Sequence, residues 1–79
     1  MNPETTLELP KSADDDYKAR VIAEKGELDK KLEKLGAFIR SEESRTSKSV
    51  SEKDLELLKE QAQYMICYST ILQRRIERF

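Results

Sequence analysis

Histidine and tryptophan are absent from this 79-residue chain, and cysteine occurs once, as Cys67. Without histidine there is no Ser-His-Asp or Cys-His arrangement and no His-containing zinc site. Acid–base chemistry would fall to carboxylates and lysines. One cysteine makes neither an internal disulfide nor a CxxC pair, which fits a reducing compartment. Two glycines and two prolines supply few of the turns that a many-stranded fold needs, so the expectation is an all-α protein. A basic surplus is missing as well. With 15 Lys+Arg against 16 Asp+Glu the net charge is −1, so no global field draws in a DNA or RNA polymer and any anion site is local. No run approaches the roughly 18 apolar residues of a membrane span, and the opening MNPETTLELP has neither the basic nor the apolar region of a signal peptide. No membrane partner is expected. A Gly-rich phosphate loop, a metal-ligand spacing and a nucleophile motif are all lacking, so the sequence points to no cofactor, no metal, no catalytic residue and no enzyme.

What is present is helical periodicity. Residues 1–13 hold both prolines, Pro3 and Pro10, with only Leu7 and Leu9 as large apolar groups, and read as a loose N-terminal arm. A single helical-hairpin domain should fill 14–79. Its first helix begins near Ser12 to Asp14, where Asp14, Asp15 and Asp16 suit the first-turn N–H groups and the helix dipole, and runs to about Arg40. Val21, Leu28, Leu32, Leu35 and Ile39 form its core stripe. Gly26 costs about 1 kcal/mol relative to alanine in mid-helix, tolerated or used for a close approach. The Ser-rich stretch 41–50 is the connector. The paired acids at Asp14–Asp16 and Glu42–Glu43 lack calcium-loop spacing and read as capping and solvated groups.

A second start signal follows. Ser51 with Asp54 resembles a capping box, with Val50 and Leu55 placed as a hydrophobic staple, and the second helix runs from about Glu52 to the end. Leu58, Ala62, Met65, Ser69, Leu72, Ile76 and Phe79 form a heptad seam. Beside it runs another row of Leu57, Tyr64, Tyr68 and Ile71. One partner helix cannot cover both rows, and a chain this short buries only about 60% of its unfolded surface. The expected architecture is therefore an antiparallel two-helix hairpin that completes its core in a symmetric homo-oligomer.

Spacing alone leaves the candidate site residues open between two readings. Tyr17, Glu24, Lys31 and Phe38 recur every seven residues beside the core stripe, offering a ring for a base and an ammonium for a phosphate. The plainer reading makes Tyr17 a half-buried interface ring and pairs Lys31 with Glu27. Lys30 and Lys34 are a like-charge pair that marks either an anion or a solvated face. Arg74, Arg75 and Arg78 crowd the last turn, where cations complement the dipole. Tyr64 and Tyr68 suit an interface with hydroxyls at its rim, and Cys67 reads as a small core residue.

The run Tyr17-Lys18-Ala19-Arg20-Val21-Ile22-Ala23-Glu24, continuing through Glu27-Leu28-Asp29-Lys30-Lys31-Leu32, Leu35 and Phe38-Ile39, carries a resemblance. With Leu57-Leu58, Gln61, Met65, Tyr68, Ile71-Leu72 and Arg75-Ile76 it resembles the small tailed-phage proteins that counter CBASS immunity by sequestering cyclic oligonucleotides, over roughly 14–79. That resemblance implies an all-helical homohexamer, a trimer of dimers, without enzymatic activity. It would act in the cytoplasm of the infected bacterial host, soaking up cyclic di- and trinucleotide messengers before they activate an effector. It implies a cyclic dinucleotide site with Tyr17 and Lys31, Lys30 and Lys34 being register alternatives. It also implies a separate cyclic trinucleotide site between subunits, for which Arg75, Arg74, Arg78 and Thr70 are the candidates. Without the resemblance, the excess apolar face reads as that of a helical structural or adaptor protein mediating protein–protein association.

Overall fold

The computed structural model describes residues 14–79, which form two α-helices, α1 (Asp14–Glu43) and α2 (Glu52–Glu77), with no strand among the described residues. The arm expected over 1–13 lies outside them. The helices are antiparallel: Tyr17 meets Arg75, Glu24 meets Tyr68 and Glu43 meets Lys59, one number falling as the other rises, and Asp29 meets Ser69 between the last two. Between them lies a thin core of Val21 and Ile39 from α1 and Leu55 and Leu72 from α2, all buried. Leu28, Leu32, Leu35, Leu58, Ala62, Met65, Ser69 and Ile76 are half-buried along the same line, so both apolar stripes face each other as their periodicity requires.

The shortest dimension of the molecule is 14 Å. A helix with its side chains is about 10–12 Å across, so the hairpin is a single layer. Its flat faces and the outer edge of α2 are uncovered. The second row of α2 lies there, with Tyr64 73%, Leu57 54% and Ile71 48% exposed.

The start of α2 is the one the sequence signals. Ser51 is extended at φ −69° and ψ 162°, and its hydroxyl accepts the Asp54 N–H at 3.0 Å. The end of α1 differs. It extends three residues beyond Arg40, to Glu43, and Glu42, expected to be solvated, is only 1% exposed. The reason is local hydrogen bonding. The Glu42 carboxylate accepts from the Ser49 hydroxyl at 2.8 Å, the Val50 N–H at 3.1 Å and the Ser49 N–H, so the connector folds back over it. The Lys48 ammonium meanwhile donates to the carbonyls of Glu42, Glu43 and Arg45 at 2.8, 3.2 and 2.7 Å, satisfying acceptors that a helix end leaves open.

Burial alone would push the Glu42 pKa up, but the hydrogen bonds from Ser49 and Val50 and the charge of Arg45 hold it below the ordinary value of 4.5. A lowered folded-state value means that this carboxylate stabilises fully above pH 4.5, and that the contribution is lost as the pH falls through the folded value. Thermal midpoints of the wild type should therefore drop toward those of Glu42→Gln as the pH is taken below 4.5. Parallel pH curves for the two proteins would contradict the clamp.

Gly26 faces open space, with no atom within 4 Å of a built Cβ and no positive φ. No group of the hairpin itself makes a close approach there. Gly26→Ala should stabilise the hairpin by up to about 1 kcal/mol, read as a higher thermal midpoint; a fall would show that the site is not free.

Candidate functional site

Antiparallel pairing brings the start of α1 to the end of α2, and there the aromatic and cationic side chains gather. Arg75 donates to the Tyr17 hydroxyl at 2.8 Å, and its guanidinium carbon lies 5.6 Å from the centre of the Tyr17 ring. Phe79 packs against that ring at 5.9 Å between centroids, tilted by 54°, and the Lys18 ammonium sits 5.8 Å from the Phe79 centroid. Two turns along, Tyr68 donates to the Glu24 carboxylate. The hydrogen bond to Tyr17 holds the Arg75 guanidinium charged above its already high range, burial working against it and Tyr17, Glu24 and Tyr68 adding to it. Donation to Glu24, burial and the Glu24 charge push the Tyr68 phenol up, against the opposing charge of Arg75. The cluster is thus a fixed Arg75 cation near a protonated Tyr68 phenol.

Two open troughs share the Tyr17–Arg75 wall. The larger, about 530 Å³, is lined by Tyr17, Arg20, Val21, Ala23, Glu24, Glu27 and Arg75. The smaller, about 360 Å³, adds Lys18, Arg78 and Phe79. Four cations and two carboxylates line these two troughs, on a chain of net charge −1. A trough of about 610 Å³ lies at the closed end, but Glu43, Glu56 and Glu60 line it and its Lys59 is paired with Glu43, so it repels polyanions.

The other sequence candidates fall elsewhere. Lys30, Lys31 and Lys34 are exposed in the middle of α1. Lys31 is two heptads past Tyr17, about 21 Å along the helix axis. The expected Glu27–Lys31 pair is not formed: among the described residues the ion pairs are Lys25–Asp29, at 2.6 Å, and Lys59–Glu43. Thr70 donates to its own helix, at the Ile66 carbonyl, 3.0 Å away. Arg74 is exposed, and Arg78 caps α2 with its N–H on the Arg75 carbonyl at 3.1 Å. Cys67 is exposed and not in the core, because the seam through Met65, Ser69 and Leu72 faces α1 and Cys67 falls on the opposite side of the turn.

The structure joins what spacing kept apart. Tyr17 and Arg75, nominated for two different sites, touch. Lys18, Arg20 and Phe79 were not singled out as site residues. The signal was there, since Arg20 is one turn from Tyr17 and Phe79 one turn from Arg75, but it has meaning only once the two helix ends are side by side. A polar rung at mid-height was missed as well. The Ser69 hydroxyl donates to Asp29 at 2.6 Å, and Lys25 pairs with the same carboxylate. The Lys25 hydrogen bond first, then that from Ser69 and the Lys25 charge, keep Asp29 below its ordinary range against the cost of burial. No helix among the described residues is long and apolar enough to cross a membrane.

Among curated proteins and solved structures none matches the chain. The Tyr17 ring thus lies beside a guanidinium and a second ring, with Lys18, Arg20 and Arg78 along the same troughs. In keeping with that geometry, the family model described as Sequestin matches residues 15–78, and the chain belongs to the Sequestin family.

Proposed function

We propose that this protein binds and sequesters cyclic di- and trinucleotide second messengers, as a homohexamer built as a trimer of dimers. It does so without hydrolysis, in the cytoplasm of a phage-infected bacterium, and so blocks activation of CBASS effectors. The observation that carries the reading is the Tyr17–Arg75 wall, with Lys18, Arg20 and Arg78 lining the same troughs on a chain with no net positive charge. Tyr17 stacks on a base and a lysine of α1, Lys31 by the resemblance, meets a phosphate. Stacking is worth about 1–3 kcal/mol per base, and each phosphate adds a charge-assisted contact. Nanomolar affinity needs about −12 kcal/mol, so enclosure between subunits supplies the rest. The 21 Å between Tyr17 and Lys31 supports that division, being about four helical turns, a span that a compact ring of two nucleotides does not bridge along one helix. The Tyr17 of one subunit and the Lys31 of another would serve the same ligand.

The experiment is thermal unfolding with a panel of cyclic di- and trinucleotides. At about 100 times Kd a ligand adds about 2.7 kcal/mol, a rise of order 10 °C for a chain this size. Denaturing the complex should return the cyclic nucleotide intact; linear product in proportion to protein would defeat sequestration. Light scattering near 55 kDa would fit six copies of the 9.2 kDa chain, and a monomer would sink the assembly. Tyr17→Ala and Lys31→Ala should each weaken cyclic dinucleotide binding by about tenfold or more with oligomer size unchanged. If Lys31→Ala binds normally and Lys30→Ala or Lys34→Ala fails, the lysine is displaced along α1 but the site stands.

A further inference from the structure

The edge of α2 turned away from α1 has a repeat of its own. Leu57, Tyr64 and Ile71 recur every seven residues, with Cys67 midway between the last two, and all four are exposed. Ala62 and Ser69, half-buried against α1, lie on the opposite side of the helix from Cys67. Charge along this edge is segregated. Glu56 and Glu60 precede Cys67, and Arg74 and Arg78 follow it. Lys59 does not blur the pattern, because it is turned back onto Glu43.

The positions are also symmetric. Glu60 and Arg74 lie seven residues either side of Cys67, and Glu56 and Arg78 eleven. Two such edges laid parallel would set Glu60 against Glu60 and Arg74 against Arg74, which is repulsive throughout. Laid antiparallel about an axis at Cys67, they set Glu60 opposite Arg74 and Glu56 opposite Arg78, each twice, and place Tyr64 beside Ile71. Lys53, the cation that precedes the acids, then lies past the last residue of the other chain, Phe79.

We infer that α2 is a self-association edge: two copies of this chain pair α2 against α2, antiparallel, around a twofold axis at Cys67. The pairing covers Ile71 and the near side of Tyr64, which α1 leaves bare, and turns two hairpins into one four-helix layer. Because that axis stands perpendicular to the layer, each flat face keeps its side, and both Tyr17–Arg75 troughs open on the same one. Arg74 and Arg78 then belong to the interface, whereas Arg75, held on the flank by Tyr17, is left for ligand. The inference rests on the self-association in the proposed function and not on the ligand.

The chain's only cysteine makes the test unambiguous, since a covalent dimer formed by a short bismaleimide is Cys67 to Cys67. The wild type should cross-link efficiently, Cys67→Ser not at all, and Ile71→Glu should lose both cross-link and assembly size. Glu60→Arg should weaken self-association by roughly tenfold, and Glu60→Arg combined with Arg74→Glu should restore most of it. An oligomer that does not cross-link, a cross-link that survives Ile71→Glu, or a double variant as weak as the single would each overturn the pairing. Titration with a cyclic dinucleotide separates the two claims. Binding that persists without the cross-link overturns this edge alone, and a cross-link without binding overturns the ligand reading alone.

Discussion

Arg75→Ala is expected to abolish the heat of cyclic trinucleotide binding, measured by calorimetry on protein already saturated with a cyclic dinucleotide. A threefold ligand with three phosphates suits a threefold axis at which every subunit donates the same cation. Each hydrogen bond to a charged group is worth about 1.5–3 kcal/mol, so removing three at once costs about 4 kcal/mol or more, roughly a thousandfold in affinity. Arg75→Lys should rescue little, because an ammonium cannot both hold the Tyr17 hydroxyl and present a planar fork. Cyclic dinucleotide binding should fall only severalfold in Arg75→Ala, as the group that orients Tyr17 is lost while the ring remains. Full trinucleotide stoichiometry on the saturated wild type would establish two pockets. Mutual displacement would show that the shared Tyr17–Arg75 wall serves one.

Leu72→Ala should unfold the hairpin most readily. Leu72 is 0% exposed, and the fully enclosed apolar core otherwise consists of Val21, Ile39 and Leu55. Truncating a buried leucine costs about 2–5 kcal/mol, and for a domain of this size each kcal/mol shifts the midpoint by about 4–8 °C. A fall of about 10 °C or more is therefore expected, with protein concentration fixed because assembly contributes to the midpoint. Ile22→Ala, at a side chain 52% exposed, should change stability by about 0.5 kcal/mol or less. Equal effects at the two positions would mean that the core lies elsewhere.

The two helices, their facing stripes and the Ser51 cap were legible because each is encoded locally, by spacing or by one side chain on a nearby N–H. Glu42 was not. It continues the stripe through Leu35 and Ile39 at the spacing of a core position, yet an acid there looks solvated until the connector delivers the Ser49 and Val50 N–H groups to it. Asp29 and Ser69 were opaque for the same reason, their partnership spanning 40 residues. Tyr17 and Arg75, separated by 58 residues, could each be nominated from helix-face arguments, but their contact depends on which turn of α1 lies beside which turn of α2. Cys67 was misplaced because a small apolar residue suits a core in composition, and only the phase of the helix sends it outward.

The polar rungs between the helices have a consequence for motion. Apolar side chains repeating every seventh residue would accept α2 slid along α1 by a whole heptad, since leucine meets leucine again. Tyr17–Arg75, Glu24–Tyr68 and Asp29–Ser69 toward one end and Glu43–Lys59 at the other have no such repeat, so a shift of even one turn, about 5.4 Å, unpairs all four together. The hairpin is thereby held as if by detents on a sliding bolt, and the Tyr17–Arg75 wall sits at the same height in every copy.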